Sequence, residues 1–140
     1  MSDEHILIIN GPNLNLLGKR EPDIYGYISF ESYYEQLKNK YFSFTIDYFQ
    51  SNIEGEIVNK IQEADNKYKG LILNPGGYSY TSIAIADAIR AINIPVIEVH
   101  ISNIYAREEY RKSPITASVC KGIISGLGLE VYRLALEYLI

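Results

Sequence analysis

Short apolar runs alternate with longer stretches of helical periodicity along this sequence, and the alternation narrows the possible folds more than any other feature. The apolar runs have the length and the β-branched content of strands that are buried on both faces of a parallel sheet. The stretches between them carry apolar residues three and four positions apart, which is typical of helices that pack one face on a sheet. The pattern therefore predicts an α/β chain built from βα units.

The predicted strands cover residues 5–9, 45–49, 70–73, 96–99 and 122–124. Helices are predicted over 30–41 behind a Ser29 cap, from a capping box at 51–54 onward, from Thr81 or Ser82 to 92, and over 129–139, with a helical turn after the fourth strand. Five strands and five helical segments favour a flavodoxin-like five-stranded parallel sheet with helices on both faces. No linker or repeat divides the chain, so residues 1–140 are expected to form one domain.

Charge and cysteine content exclude several classes of function. Lys and Arg total 13 against 17 Asp and Glu, a net charge of −4, so the chain lacks the basic field of a nucleic-acid or membrane-surface protein. Cys120 is the lone cysteine, so an internal disulfide is excluded. We expect Cys120 to be a small buried residue. With no cationic leader and no membrane-length apolar run, we expect a soluble, cytoplasmic protein.

Polar chemistry is concentrated in three segments that directly follow the first, third and fourth predicted strands. They read GPNLNLLGKREPDIYG (11–26), LNPGGYSYTS (73–82) and EVHISNIYAREEYRKS (98–113). The carboxyl ends of parallel strands meet at one edge of a sheet, where ligands bind in open α/β folds. The sequence therefore predicts one ligand site to which all three segments contribute.

The first two segments each allow a functional and a plain interpretation. The loop at 11–26 is longer than a strand-to-helix connection needs, and its Lys19, Arg20 and Tyr25 fit either a lid or an ordinary surface loop. Gly76 and Gly77 precede hydroxyl residues and a helix start, which suits an anion or a polyol. The same glycines also fit a simple turn.

The third segment contains the strongest candidate for proton transfer. Glu98 and His100 lie on the same side of a strand, so the carboxylate can fix the imidazole tautomer and leave the other ring nitrogen free; a structural histidine is the alternative. Arg111 has the planar fork that matches a substrate carboxylate, although a solvated turn with ion pairs fits too. Asp87 interrupts an apolar helical stripe, which an exposed position would also explain.

Together with GLGLEVYRLAL near the end of the chain, the three segments resemble the type II 3-dehydroquinate dehydratases in order and spacing. The resemblance covers essentially the whole chain. It implies the flavodoxin-like fold and the loss of water from 3-dehydroquinate by anti elimination through an enolate, giving 3-dehydroshikimate in the shikimate pathway. It also implies no metal or other cofactor, and a homododecamer built from trimers.

Residue roles follow from the resemblance alone. Tyr25 would be the base that removes the proton beside the ketone, and Arg20 the cation that favours its phenolate, since a free tyrosine has a pKa of about 10. Asn13 would hold a water or the enolate oxygen, and His100, oriented by Glu98, would protonate the departing hydroxyl. The implied substrate contacts are Asn74, Gly77, Tyr80, Ile101, Ser102 and Arg111, with Asp87 reaching a neighbouring subunit and Arg107 a second cation near Tyr25.

Two positions depart from that family's pattern. Tyr80 and Tyr105 stand where the family has histidines, and a phenol at Tyr80 offers one hydrogen bond without a positive charge. We expect Tyr80 to keep the substrate contact with altered affinity. Three other interpretations remain open: a phosphorylatable receiver, a flavin-binding module, and a homologue that binds without catalysing. Asn10-Gly11-Pro12 after the first strand lacks the acidic cluster of a receiver and the phosphate loop of a flavodoxin.

Overall fold

The computed structural model of the chain describes residues 4–19 and 28–140. Five strands form one parallel sheet in the order β2-β1-β3-β4-β5. The strands are β1 (His5–Asn10), β2 (Thr45–Gln50), β3 (Gly70–Asn74), β4 (Val96–His100) and β5 (Gly122–Ser125). This order is the flavodoxin-like one, so the predicted fold class is confirmed.

Four α-helices cover the two faces of the sheet in the described part of the chain. Ile6 and Ile8 of β1 pack in the cluster that contains two of the helices, whereas Leu7 and Ile9 pack against the other two. The alternation follows from successive strand side chains pointing to opposite faces. None of these helices is long and apolar enough to cross a bilayer. The first face carries α1 (Phe30–Lys40) and α4 (Glu130–Leu139), and the second carries α2 (Glu54–Ala64) and α3 (Ile83–Ala91).

Two local predictions differ from the structure. The helical turn expected after β4 is three short 3₁₀ turns, Ile104–Ala106, Glu109–Lys112 and Ala117–Val119, because most of this segment is exposed and has no apolar stripe to bury. The prediction of a capping box at 51–54 was wrong, because α2 begins at Glu54 and no side chain caps it. The Ser51 hydroxyl instead accepts from Ile53 N at 2.9 Å, and the hydroxyl of Ser82 donates to Glu54 at 2.5 Å.

The loops after β1 and β3 pack backbone against backbone. Gly11 N donates to the Asn74 carbonyl at 2.7 Å, and a Cβ on Gly11 would lie only 2.5 Å from the Pro75 carbonyl oxygen. Gly76 adopts a positive φ of 60°, and a Cβ there would come within 3.1 Å of the Pro12 carbonyl oxygen. The two glycines thus permit a contact that forms one wall of a cavity at the carboxyl edge of the sheet.

Candidate active site

A cavity opens at the carboxyl ends of β1, β3 and β4. The three polar segments predicted to meet at this edge all contribute to its walls. Most of the predicted site residues line it together: Asn13, Asn74, Gly77, Tyr80, His100, Ile101, Ser102, Arg107 and Arg111. The parallel sheet brings these residues together from positions that are far apart in the sequence.

Glu98 and His100 form a buried pair at the end of β4. Glu98 is fully buried and its Oε2 lies 2.6 Å from His100 Nε2, while the imidazole is 6% exposed. Nε2 therefore carries its hydrogen towards the carboxylate, and Nδ1 makes no hydrogen bond to the described residues. Because His100 also lines the cavity, Nδ1 is the ring nitrogen available to a ligand.

Two hydroxyls that the sequence analysis did not single out hold the Glu98 carboxylate in place. Ser79 Oγ donates to Oε2 at 2.6 Å, and Thr116 Oγ1 donates to Oε1 at 2.5 Å. Both side chains are fully buried, so each oxygen of this buried charge is satisfied by a donor. Cys120 is partly buried beside them, 4.0 Å from Oε1, and burial raises the pKa of its thiol.

Arg111 is held on three sides. Its Nε donates to Glu108 Oε1 at 2.6 Å, and its guanidinium lies over the rings of Tyr80 and Tyr110, 5.5 and 5.3 Å from the centroids. Hydrogen bonds from the Glu108 backbone and from Arg111 lower the pKa of Glu108 to about 2. Since Nε is occupied, the terminal guanidinium nitrogens are the ones available to an anion in the cavity.

Tyr80 lies between the acid–base pair and the cation. Its ring centroid is 6.1 Å from that of His100 and 6.3 Å from that of Tyr110. The hydroxyl is buried and has no hydrogen-bond partner among the described residues. Burial raises the pKa of Tyr80, with Arg111 acting in the opposite direction, so the phenol is present as a neutral donor and acceptor.

The amides of the site come from the ends of β1 and β3. Asn13 adopts a left-handed conformation with φ of 71°, and its backbone N–H donates to Asn52 Oδ1 at 3.0 Å. The amide of Asn74 is held at both ends, because Oδ1 accepts from Gly76 N at 3.2 Å and Nδ2 donates to the hydroxyl of Tyr132 at 2.9 Å. A side-chain amide that is held like that of Asn74 can form hydrogen bonds with the hydroxyls of a ligand.

Ser102 and Gly77 also line the cavity. Ser102 Oγ accepts a hydrogen bond from Arg107 Nη1 at 3.2 Å, which brings a second cation to the wall of the cavity. A Cβ on Gly77 would meet no atom of the described residues within 4 Å, so a glycine here leaves room for a ligand against the backbone. The site thus combines one proton-transfer group, two cations and several neutral hydrogen-bonding groups.

Some predicted site residues are not among the described residues that line this cavity. Asp87 is exposed on α3 and pairs with Arg90 at 3.0 Å, away from the residues that line the cavity. Tyr25 and Arg20 lie outside the described residues. Tyr105 is 56% exposed and does not line the cavity. Residues 4–19 and 28–140 contain no group of three or more His, Cys, Asp or Glu side chains arranged to hold a metal ion.

Comparisons with known proteins agree on one family. The family described as Dehydroquinase class II matches residues 4–140. A 3-dehydroquinate dehydratase of Clostridium botulinum is 55% identical over 138 residues, covering 97% of this chain and 94% of that protein. One of Fusobacterium nucleatum is 54% identical over 142 residues, covering 96% and 95%. The crystal structure of the type II dehydroquinase of Butyrivibrio crossotus superposes with a TM-score of 0.93 at 45% identity, covering 96% of both chains.

Proposed function

The chain belongs to the class II dehydroquinase family, and from that premise we propose that the cavity at the carboxyl edge of its sheet is where 3-dehydroquinate loses water. The chain is accordingly a carbon–oxygen hydro-lyase, and its product, 3-dehydroshikimate, is an enone. The reaction is a step of the shikimate pathway. The assignment of individual residues to it is our proposal.

The proposed chemistry divides the proton transfers between two residues. The phenolate of Tyr25 takes the proton from the carbon beside the ketone, and the electron pair moves into an enolate whose oxygen is stabilised by Asn13, directly or through a water. When the enolate collapses, the carbon–oxygen bond of the adjacent hydroxyl breaks and the new double bond forms. His100, as an imidazolium whose Nε2–H is held by Glu98, gives the proton on Nδ1 to the departing hydroxyl, which leaves as water. Arg20 favours the phenolate of Tyr25 by its charge.

Substrate binding uses the groups around this pair. Arg111 receives the substrate carboxylate on its terminal nitrogens, because Glu108 occupies Nε at 2.6 Å. Asn74, Tyr80 and Ser102 meet the ring hydroxyls, and the backbone at Gly77 and Ile101 completes the contact. Arg107, bonded to the Ser102 hydroxyl at 3.2 Å, supplies further positive charge.

The observation that carries this proposal is the orientation of His100. Its Nε2 is 2.6 Å from a fully buried carboxylate and its Nδ1 is left to the cavity, so an imidazolium at this position presents the Nδ1 proton to a ligand while Glu98 holds the Nε2 hydrogen.

Mixing the protein with 3-dehydroquinate and following the enone absorbance tests it. We expect product with the wild type, and a loss of kcat by about 10²-fold or more in Glu98→Gln, because the amide turns one acceptor into a donor and releases the imidazole. Glu54→Gln is the matched control, since Glu54 also accepts a hydroxyl hydrogen bond but does not line the cavity. Equal kcat for the two variants would remove Glu98 and His100 from the mechanism.

The assembly and location are finer parts of the proposal. A homododecamer built from trimers would explain why Asp87 is exposed in the isolated chain, since its proposed site belongs to a neighbouring subunit. Light scattering should give the mass of twelve 15.9 kDa chains. A fully active monomer would contradict it. The lone Cys120 supports a reducing, cytoplasmic setting, and the proposed partner is the small-molecule substrate, not nucleic acid or membrane.

A further inference from the structure

The C-terminal helix contacts the edge of the active site through one hydroxyl. Tyr132 of α4 is fully buried, and its OH lies between the ends of β1 and β3. It donates to Asn10 Oδ1 at 2.7 Å and accepts from Asn74 Nδ2 at 2.9 Å. Neither Asn10 nor Tyr132 lines the cavity, whereas Asn74 does. A single hydroxyl therefore links the two strands whose loops form one wall of the cavity.

This link fixes the orientation of the Asn74 amide. Oδ1 of Asn74 accepts from Gly76 N at 3.2 Å, so with Tyr132 on Nδ2 both ends of the amide are held. Burial raises the pKa of Tyr132, which keeps the phenol protonated and able to donate to Asn10. If the phenolic acceptor were removed, only the Gly76 contact would define which way the amide faces.

We propose that Tyr132 is a positioning residue for substrate binding, acting by holding the Asn74 amide in the orientation that meets the substrate. The inference rests on the proposed contact between Asn74 and the substrate. It makes α4, which contributes no side chain to the cavity walls, a determinant of affinity.

The competing interpretation is that Tyr132 only fills the core. Its ring packs at 4.8 Å from that of Phe30 in a T-shaped contact and at 6.3 Å from that of Tyr33. Tyr132→Phe keeps these ring contacts and removes only the oxygen. Tyr34→Phe is a matched control from the same core face, because the Tyr34 hydroxyl donates to the Ile46 carbonyl at 2.5 Å and neither Tyr34 nor Ile46 lines the cavity.

The test measures KM, kcat and Tm for Tyr132→Phe, Tyr34→Phe and Asn74→Ala. We expect Tyr132→Phe to raise KM by about tenfold with kcat changed by less than about twofold, and Tyr34→Phe to lower Tm with KM unchanged. A fall in Tm without a rise in KM in Tyr132→Phe would overturn the proposal. If Tyr132→Phe does not fold, Asn10→Ser, which removes the acceptor that orients the hydroxyl, should raise KM in the same direction, and an unchanged KM would equally overturn it.

Asn74→Ala separates failure of this inference from failure of the proposed function. A raised KM in Asn74→Ala with an unchanged KM in Tyr132→Phe defeats only the role of Tyr132. An unchanged KM in Asn74→Ala defeats the substrate contact and the inference with it. In the double variant, Tyr132→Phe should add nothing to the KM of Asn74→Ala, whereas a further rise by the full factor would mean that Tyr132 acts by another route and would overturn the proposal.

Discussion

Tyr80 carries one of the few buried polar atoms in the described residues that have no hydrogen-bond partner. An unsatisfied buried hydroxyl weakens the folded state, so its presence needs a reason. Tyr80 lines the cavity beside His100 and Arg111, which are the proposed proton donor and the proposed carboxylate ligand. A substrate hydroxyl that bonds to this phenol would supply the missing partner.

Tyr80→Phe should therefore separate stability from affinity. We expect Tm to stay the same or rise, because the variant removes an unpartnered hydroxyl, and KM to rise by several-fold, about 1 kcal/mol of binding. Thermal unfolding without substrate and steady-state kinetics measure the two effects. An unchanged KM would show that the phenol oxygen does not bind substrate.

Glu108 accepts a hydrogen bond from Arg111 Nε and so orients the terminal nitrogens of Arg111 towards the substrate carboxylate. Glu108→Gln should therefore raise KM with little change in kcat. Glu109→Gln is the matched control, because Glu109 is 88% exposed and its ion pair within the described residues is with Lys112 at 3.3 Å. The pKa of Glu108, lowered to about 2, means that the pairing is complete above the ordinary carboxyl pKa and is lost only as the pH falls towards 2. The KM ratio of Glu108→Gln to wild type should thus stay constant between about pH 8 and pH 5. A ratio of one would deny Glu108 any part in orienting Arg111.

At the scale of elements, α2 and α3 are joined at their N-termini by Ser82. Its hydroxyl accepts from Ile85 N at 2.9 Å, capping α3, and donates to Glu54 Oε2 at the start of α2 at 2.5 Å. Ser29 caps α1 by accepting from Ser32 N at 3.1 Å, and within the described residues its hydroxyl otherwise bonds only to the Ser32 hydroxyl. Ser82 therefore stabilises two helices and Ser29 one.

Ser82→Ala should cost more stability than Ser29→Ala. The loss of a cap alone is worth about 1 kcal/mol, which is the expectation for Ser29→Ala. Ser82→Ala should lose about 2 to 3 kcal/mol, because the partly buried Glu54 carboxylate also loses its donor. Urea unfolding of both variants measures the difference, and equal losses would mean that the contact between the helices contributes nothing.

The sequence predicted which strands and α-helices form, but it misplaced the start of α2. The apolar runs predicted every strand to within one residue at either end. The signal is clearest for β1, β3 and β4, because a parallel strand buried on both faces has few alternatives. The start of α2 was misplaced because Glu54, which looked like the second half of a capping box, bonds to Ser82 instead. That partner is 28 residues away, so no local pattern reveals it.

At the scale of the whole molecule, tyrosine connects the core to polar partners. The hydroxyl of Tyr68 donates to Asp47 at 2.6 Å, and that of Tyr41 to Glu137 at 2.5 Å. Each of these two side chains contributes an aromatic ring while its hydroxyl bonds to a carboxylate, and the chain has 13 tyrosines and no tryptophan. In the described residues, burial is the main cause of a raised pKa at seven of them: Tyr33, Tyr34, Tyr41, Tyr48, Tyr68, Tyr80 and Tyr132.

These phenols should make the fold sensitive to alkali. A raised pKa in the folded state means that the protonated phenol contributes stability that is complete below the ordinary tyrosine pKa of about 10 and is lost as the pH rises through the folded value. For Tyr33 and Tyr48 the folded pKa is about 12. The free energy of unfolding should thus fall between about pH 10 and pH 12. Part of the phenolate absorbance should appear only as the circular dichroism signal disappears. Titration of every phenol near pH 10 with the fold intact would contradict this.

The part of the candidate site that lies on a single strand could be predicted from the sequence. Glu98 and His100 are two residues apart on β4, so their contact followed from strand geometry. Thr116 and Tyr132 were missed because their partners are on other elements, Glu98 at a separation of 18 residues and Asn74 at 58. Contacts of that kind depend on how helices and loops pack over the sheet, which periodicity does not encode.

Hydrogen exchange at the carbon beside the ketone is the most direct test of the two proposed roles, in which Tyr25 removes a proton and His100 donates one. In deuterated water, His100→Ala should still exchange the acidic proton of 3-dehydroquinate, seen by NMR, while forming almost no enone, because the base and the enolate contacts remain. Tyr25→Phe should neither exchange nor eliminate. Exchange that stops in His100→Ala, or persists in Tyr25→Phe, would contradict a mechanism in which the phenolate removes the proton and the imidazole releases the water.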